Sequence, residues 1–175
     1  IYDRLVMDDK EHVALASLAP DLFTISFNGL SKSHRVAGYR VGWMCLCGNK
    51  SNVKGYIEGL NLLSSMRLCS NVPAQSIVQT CLGGYQSADE LLLPGGRIYD
   101  QREYIYKALC DIPGISVVKP EAAFYIFPKL DKEKFNITND EQFAPDHFRI
   151  VYLPNMEILK AATAKLADFL SYYHQ

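Results

Sequence analysis

The sequence lacks an excess of charge of either sign, a long apolar run and a basic cluster. Its 175 residues carry 18 basic and 19 acidic side chains, for a net charge of -1. Nucleic-acid and membrane-surface proteins depend on clustered Lys and Arg, so we expect neither partner. No segment approaches the roughly 18 uninterrupted apolar residues that a membrane-spanning helix needs. These absences predict a soluble protein. Because the chain opens on Ile1 rather than Met, we expect its true start to lie upstream.

The cysteines also lack the spacing of a disulfide framework or a metal site. Their number is odd, no pair has the Cys-x-x-Cys spacing, and their neighbours are apolar, which together favour reduced thiols in a cytoplasmic protein without a bound metal. The five are Cys45, Cys47, Cys69, Cys81 and Cys110.

The first half of the chain alternates apolar runs with one basic loop. Apolar, β-branched runs predict strands over residues 22–27 and 41–47, and the polar stretch 31–40 joins them. Helical spacing then predicts helices over residues 52–68 and 74–82. Pro73 suits the first turn of the second helix, because an N–H would have no partner there.

The second half predicts a smaller α+β portion. A helix is expected over residues 97–110 and strands over 115–118, 123–127 and 148–153. The polar and least periodic stretch 131–146 is expected to be a loop, a hinge or a place where a segment is missing. A last helix follows, with Asn155 as its N-cap. Its predicted inward stripe consists of Ile158, Leu159, Ala162, Leu166, Phe169 and Leu170. The whole order predicts an α/β fold followed by an α+β portion.

The loop between the first two strands carries the chemistry. A lysine at a strand end, held partly desolvated beside another cation, would be able to form a Schiff base with a carbonyl, and Lys32 is the candidate. Ser31 offers a hydroxyl, and the Arg40 fork can clasp a phosphate. Gly38 and Gly42 would let a ligand approach the backbone. This set suits an aldehyde cofactor that bears a phosphate. Alternatively, Lys32 is a solvated surface charge and Arg40 a salt-bridge partner.

The same residues carry a family resemblance. The pattern Ser-Lys-x-x-x-x-x-Gly-x-Arg-x-Gly-Trp over residues 31–43 resembles the pyridoxal-phosphate lysine motif of class I/II aminotransferases of fold type I. Phrases such as Gly-Tyr-Ile-Glu-Gly-Leu at 55–60, Asn-Val-Pro-Ala-Gln at 71–75 and Pro-Gly-Gly-Arg at 94–97 extend the likeness over essentially the whole chain. Within the family, these phrases are most similar to bacterial alanine aminotransferases.

The resemblance implies a role for several residues. Lys32 would form the Schiff base with pyridoxal 5'-phosphate and later move the proton from the substrate α-carbon. Ser31 and Arg40 would bind the cofactor phosphate. Tyr2 matches the tyrosine that bonds the 3′-oxygen of the cofactor, and Arg149 matches the arginine that pairs with the substrate α-carboxylate. A structural Asp is the alternative partner for Arg149.

The resemblance also implies a domain plan. Residues 1–110 would be the C-terminal part of the large, cofactor-binding domain and residues 111–175 the small C-terminal domain. A segment that relatives carry is expected to be missing around residues 142–146. Relatives are roughly twice this length, and the Asp that holds the pyridine nitrogen would precede Ile1.

The implied activity is transfer of an amino group between alanine or glutamate and pyruvate or 2-oxoglutarate, in a cytoplasmic homodimer. Two alternatives remain open. One is a C–S β-lyase of the same fold, which keeps the lysine and the phosphate contacts. The other is a truncated remnant without catalysis. Arg67 is a weaker candidate for a distal carboxylate, and His34 is expected to be an exposed loop residue.

Overall fold

The computed structural model describes residues 1–137 and 146–173. Two compact units divide the chain, Ile1–Asp89 and Glu90–Gln175, and each has its own buried apolar side chains. The domain boundary predicted between residues 110 and 111 concerns the family's domain plan and stays a prediction. The loop predicted over 131–146 lies partly outside the described residues. Within the described ranges, no helix combines the length and apolar character that crossing a membrane requires.

An antiparallel hairpin organises the first unit. Strand β1 (Thr24–Gly29) pairs with β2 (Gly42–Cys47) in a register that runs from Thr24 opposite Cys47 to Gly29 opposite Gly42. Both predicted strands are confirmed, although β1 begins two residues later than predicted and ends two residues later, at Gly29. A Cβ on Gly42 would lie 2.7 Å from the carbonyl oxygen of Asn28, so this end of the hairpin requires glycine.

Four helices accompany the hairpin: α1 (Leu15–Leu18), α2 (Leu30–Ser33), α3 (Lys54–Arg67) and α4 (Val72–Gly83). The longer two confirm the predicted helices. Asn71 begins α4, because its side-chain oxygen accepts a hydrogen bond from the Ala74 N–H at 3.3 Å. Pro73 lies in the first turn of α4, as predicted. Short α1 and α2 carry too few residues to show a helical period in sequence.

Apolar side chains of the first unit are widely exposed. None of the residues of α3 is buried, although the helix and the turn after it are rich in large apolar side chains. Phe27 on β1 is 72% exposed. The exposed apolar side chains of α3 and the following turn are Tyr56, Leu62, Leu63, Met66 and Leu68. Within the part of the chain that the structure describes, this surface has no cover.

The second unit packs two helices against short strands. Helix α5 (Asp89–Leu92) spans the boundary between the units, and α6 (Arg97–Cys110) packs against α7 (Met156–Tyr172). Their core side chains include Ile105 and Leu109 of α6 and Leu159 and Leu170 of α7. Asn155 begins α7 as predicted, since its side-chain oxygen accepts from the Ile158 N–H at 2.9 Å.

Two separate strand pairs complete this unit. Strand β3 (Ile115–Ser116) pairs with β5 (Lys129–Leu130), and β4 (Tyr125–Ile126) pairs with β6 (Ile150–Val151), both antiparallel. The strands predicted at 115–118, 123–127 and 148–153 are confirmed in shortened form, whereas β5 was not predicted. The strand predicted over 115–118 ends at Ser116, two residues early, and Val118 beyond its end is 86% exposed.

The inward stripe predicted for α7 is partly wrong. Ile158 is 55% exposed, Phe169 is 42% exposed and Ala162 is also exposed, whereas Leu159 and Leu170 are buried as predicted. Thr163, which is outside the predicted stripe, is buried as well. Thr163 is tolerated in the core because its hydroxyl donates a hydrogen bond to the Leu159 carbonyl oxygen at 2.9 Å. Because this hydrogen bond is formed within the helix, burying the hydroxyl does not leave a polar group without a partner.

Helix α6 carries a buried cation, the guanidinium of Arg102. Arg102 is 0% exposed and donates from Nη1 to the Pro120 carbonyl oxygen at 3.1 Å. Its Nη2 lies 2.7 Å from a carboxylate oxygen of Glu103, and its guanidinium sits 4.6 Å above the Tyr99 ring. Burial raises the pKa of Tyr152, while the Arg102 charge opposes that rise. The cation is therefore held by an ion pair, a carbonyl and an aromatic face together.

Candidate active site

The connection between β1 and β2 carries Ser31, Lys32 and Arg40. Its two ends are held together, because Gly29 pairs with Gly42 and the Leu30 N–H points at the Val41 carbonyl oxygen at 3.5 Å. All three residues therefore lie in the connection at one end of the hairpin. The connection was predicted as a plain loop, but it contains α2 and a 3₁₀ turn over Ala37–Tyr39.

Helix α2 sets the exposure of Lys32. Leu30 and Ser33, three residues apart on the same face, are buried, and Ser31 and Lys32 are half-buried. The Lys32 carbonyl oxygen accepts from the Arg35 N–H at 3.3 Å, which fixes the main chain after the lysine. Among the residues that the structure describes, none forms an ion pair or side-chain hydrogen bond with the Lys32 amine. The amine is thus available to react with a ligand.

Arg40 stands in an unusual backbone conformation. Its φ of 53° and ψ of 47° place it in the left-handed region, which non-glycine residues seldom adopt and which recurs at functional sites. One guanidinium N–H donates to the Ala37 carbonyl oxygen at 2.6 Å, which leaves further donors of the fork for a ligand. The Asn71 side chain donates to the Tyr39 carbonyl oxygen at 2.9 Å and so joins this turn to the start of α4.

Tyr2 lies in the segment next to the same end of the hairpin. A Cβ placed on Gly29 would come within 3.3 Å of the Ile1 side chain, so Ile1 packs beside the strand end that precedes Lys32. The Tyr2 carbonyl oxygen accepts from the Leu5 N–H at 2.9 Å, which begins a turn leading to buried Leu5. Tyr2 therefore follows a residue that packs beside the strand end preceding Ser31 and Lys32.

Arg149 belongs to the second unit, directly before β6. It is exposed, and its guanidinium lies 4.9 Å above the Tyr125 ring. An exposed guanidinium needs no buried ion-pair partner, because water solvates its charge. No carboxylate among the described residues pairs with it. Arg67, the weaker candidate, is exposed at the C-terminal end of α3.

His34 was predicted to be an exposed loop residue, and that prediction is wrong. The side chain is half-buried: its Nδ1 lies 2.8 Å from the Ser33 hydroxyl and its Nε2 lies 2.8 Å from the Cys81 carbonyl oxygen. Arg35 likewise reaches out of the loop and donates to the Ser87 hydroxyl at 2.7 Å. Sequence carries no signal for these contacts, because their partners lie 47 and 52 residues away.

Comparison with known proteins assigns the fold. A family model described as aminotransferase class I and II matches residues 1–171. The crystal structure of an aminotransferase from Escherichia coli superposes with a TM-score of 0.93 at 52% identity, over 100% of this chain and 48% of that one. The alanine aminotransferase from Pyrococcus furiosus gives a TM-score of 0.81 at 32% identity, over 98% and 48%.

The chain belongs to the class I and II aminotransferase family, with the fold of the pyridoxal-phosphate-dependent enzymes of fold type I. The glutamate-pyruvate aminotransferase AlaA of Escherichia coli strain K12 is 52% identical over 196 residues, which cover 100% of this chain. The chain spans about half the length of such relatives, 48% for that enzyme. The segment expected to be missing around 142–146 stays a prediction, and most of it lies outside the described residues.

The residues around Lys32 fit the family's cofactor. Pyridoxal 5'-phosphate presents an aldehyde, a phenolic oxygen and a phosphate dianion. The hairpin end offers the matching chemistry: an amine without an ion-pair partner among the described residues, a half-buried hydroxyl and a guanidinium with donors to spare. Guanidinium and hydroxyl donors are the groups that proteins use to hold phosphate. The donor set of the first unit is therefore suited to this ligand.

Proposed function

We propose that the protein is an aminotransferase that moves an amino group between alanine or glutamate and pyruvate or 2-oxoglutarate. The observation that carries the proposal is the match of residues 1–171 to the family, with Lys32 and the phosphate-binding candidates in one connection of the hairpin. The substrate pair follows from the Escherichia coli relative, which is named as a glutamate-pyruvate aminotransferase.

Ser31 and Arg40 would hold the phosphate of the cofactor. The Arg40 fork supplies charge and paired donors, and the Ser31 hydroxyl supplies a third donor beside Lys32. Tyr2 would donate its phenol proton toward the 3′-oxygen of the ring. When bound, pyridoxal 5'-phosphate supplies an aldehyde that condenses with an amine, releasing water, and a protonated ring that accepts electrons from the substrate α-carbon.

Lys32 would then serve twice. Its amine holds the cofactor until substrate takes its place, and the freed amine removes and returns the proton at the substrate α-carbon. This requires a side chain that can move between two positions. The absence of an ion pair on Lys32 among the described residues supports that freedom. Arg149, exposed and without a carboxylate partner in the described chain, would orient the substrate by its α-carboxylate.

We also propose a cytoplasmic homodimer built on a large domain that includes residues 1–110 and a small domain of residues 111–175. The exposed apolar side chains of α3 support a partner surface, since monomeric proteins rarely leave such a patch uncovered. The five free cysteines support a reducing compartment.

The test compares Lys32→Ala with Lys50→Ala, an exposed lysine after β2. The purified protein, incubated with pyridoxal 5'-phosphate, is expected to show a visible absorbance band and to consume alanine only when 2-oxoglutarate is present. Lys32→Ala is expected to lose the band and to lower the rate by roughly 10³-fold or more, whereas Lys50→Ala keeps both.

Other outcomes identify the alternatives. Pyruvate formed from cystathionine, without alanine consumption, would indicate a C–S β-lyase. A wild-type protein that shows neither a band nor turnover would indicate the non-catalytic remnant. A band that survives in Lys32→Ala would refute the role of Lys32.

A further inference from the structure

The segment directly after Lys32 is joined to the C-terminal end of α4 by two side chains. The His34 Nε2 lies 2.8 Å from the Cys81 carbonyl oxygen, and the Arg35 guanidinium donates to the Ser87 hydroxyl at 2.7 Å. His34 is half-buried, whereas the Arg35–Ser87 pair is exposed. Because exposed pairs contribute little, the histidine is the stronger of the two links.

The partners of His34 define its tautomer. A carbonyl oxygen can only accept, so the Nε2 that faces Cys81 must carry the proton. In the neutral ring, Nδ1 is then an acceptor, and the Ser33 hydroxyl at 2.8 Å donates to it. The alternative acceptor for that hydroxyl, the Gly29 carbonyl oxygen, is farther away at 3.4 Å. One imidazole thus connects the last residue of α2 to α4.

The anchor on α4 is itself well defined. Cys81 lies in the last turn of α4, where carbonyl oxygens have no partner within the helix. Its oxygen accepts from His34 and also from the Gln86 side-chain amide at 2.9 Å, and Gln86 donates to the Gly84 carbonyl oxygen at 2.7 Å. The histidine therefore caps a helix end that is already held in place.

Helix α2 needs such an anchor. It has four residues, Leu30–Ser33, and a single turn of helix has too few internal hydrogen bonds to be stable alone. Lys32 is its third residue, so the direction of the amine follows from how the turn is held. Its N-terminal side is held by the strand pairing at Gly29, and its C-terminal side is held by His34.

We propose that His34 is a positioning residue for Lys32, acting through its bonds to Ser33 and to the Cys81 carbonyl. The proposal rests on the proposed function, because it concerns the amine that holds the cofactor. It adds to that function a residue that touches neither cofactor nor substrate. Loss of the bridge is expected to let the turn shift and to slow the reaction of Lys32 with pyridoxal 5'-phosphate.

The test uses three variants of the purified protein. His34→Phe keeps an aromatic ring but removes both bonds, and His34→Gln restores a donor toward Cys81. His12→Phe is the matched control, because His12 is an exposed histidine of the same unit. Borohydride reduces the C=N bond between the cofactor's aldehyde carbon and the lysine nitrogen, which leaves a stable secondary amine. Mass spectrometry then gives the rate at which Lys32 is modified at saturating cofactor.

The expected result is about a tenfold slower modification in His34→Phe, because loss of both hydrogen bonds lets the turn move away from the geometry in which Lys32 reacts. His34→Gln is expected to recover most of that loss, and His12→Phe should match the wild type. Nitrogen NMR of the histidine side chains should show the Nε2–H tautomer for His34 in the wild type. This NMR readout does not depend on the cofactor.

Distinct results separate the two proposals. If the wild type is modified at Lys32 and His34→Phe reacts as fast, the positioning role is overturned while the proposed function stands. An Nδ1–H tautomer would overturn the bridge itself. If His34→Gln is as slow as His34→Phe, the bond to Cys81 is not what positions the lysine. A wild type that is never modified at Lys32 overturns both proposals.

Discussion

Replacing the buried Arg102 by Ala should destabilise the second unit by about 3 kcal/mol. The guanidinium is fully buried, donates to the Pro120 carbonyl at 3.1 Å and stacks 4.6 Å from the Tyr99 ring. A hydrogen bond from a charged donor contributes about 1.5–3 kcal/mol, and a desolvated cation–π contact contributes about 0.5–2 kcal/mol. The lower part of the summed range is expected, because the neighbouring chain can relax into some of the vacated volume.

The ion pair adds little to this figure. Glu103 is 39% exposed and keeps a second cation, Lys119, at 2.7 Å, so removing Arg102 does not leave a buried charge alone. Lys119→Gln is therefore the matched control, because it removes only the more exposed pair with Glu103 and should cost no more than about 1 kcal/mol. Arg102→Lys keeps the charge but loses the planar fork, so we expect an intermediate loss.

Hydrogen exchange of the α6 amides measures the change in the unit that contains the substitution. About 3 kcal/mol corresponds to roughly 100-fold faster exchange of the protected amides in Arg102→Ala. The protein's one tryptophan, Trp43, lies in the first unit, and its fluorescence checks that the first unit stays folded. A loss in Arg102→Ala no larger than that of Lys119→Gln would refute this reasoning.

Two further predictions test local geometry and pH dependence. Gly48→Ala should prevent stable hairpin formation and lower the thermal midpoint of unfolding, because φ is +78° and the new Cβ would lie 1.9 Å from the Leu22 carbonyl oxygen. Gly38→Ala is the control and should leave the midpoint unchanged, because no atom lies within 4 Å of the new Cβ. Equal midpoints would contradict it. Burial alone would raise the pKa of Asp146, but the hydrogen bond and charge of His147 lower it below 3.8 overall. The contribution of the ionised Asp146 carboxylate to the free energy of unfolding is therefore present well above the ordinary pKa of an aspartate and is lost as the pH falls through the lowered pKa of the folded protein. The difference in midpoint between wild type and Asp146→Asn should shrink in acid, and a constant difference would contradict the assignment.

The parts of the fold that could be predicted are those with a repeating local signal. The hairpin strands carry a short apolar run, and the four longer helices carry an apolar period over 12 to 17 residues. Asn155 and Pro73 mark helix starts through local chemistry. Elements of two to four residues, such as α2 and β5, are too short to show a period, and they form because tertiary partners hold them.

The candidate site divides in the same way. Lys32 and Arg40 could be singled out because the motif places them at a fixed spacing around a strand end. The bond from His34 to Cys81 could not, since it joins residues 47 apart and depends on where α4 ends. Exposure of Arg149 was also beyond prediction, because an apolar sequence neighbourhood does not determine which way one side chain points.

The left-handed conformation of Arg40 bears on how this protein could be engineered. Glycine or asparagine would relieve the backbone strain at this position, by about 1 kcal/mol for glycine. A stability screen that ignores ligand binding would therefore select against arginine here, although arginine alone supplies the fork for a phosphate. Stabilising and functional substitutions are thus in direct opposition at Arg40, and a thermostable variant of this chain should be chosen with that residue held constant.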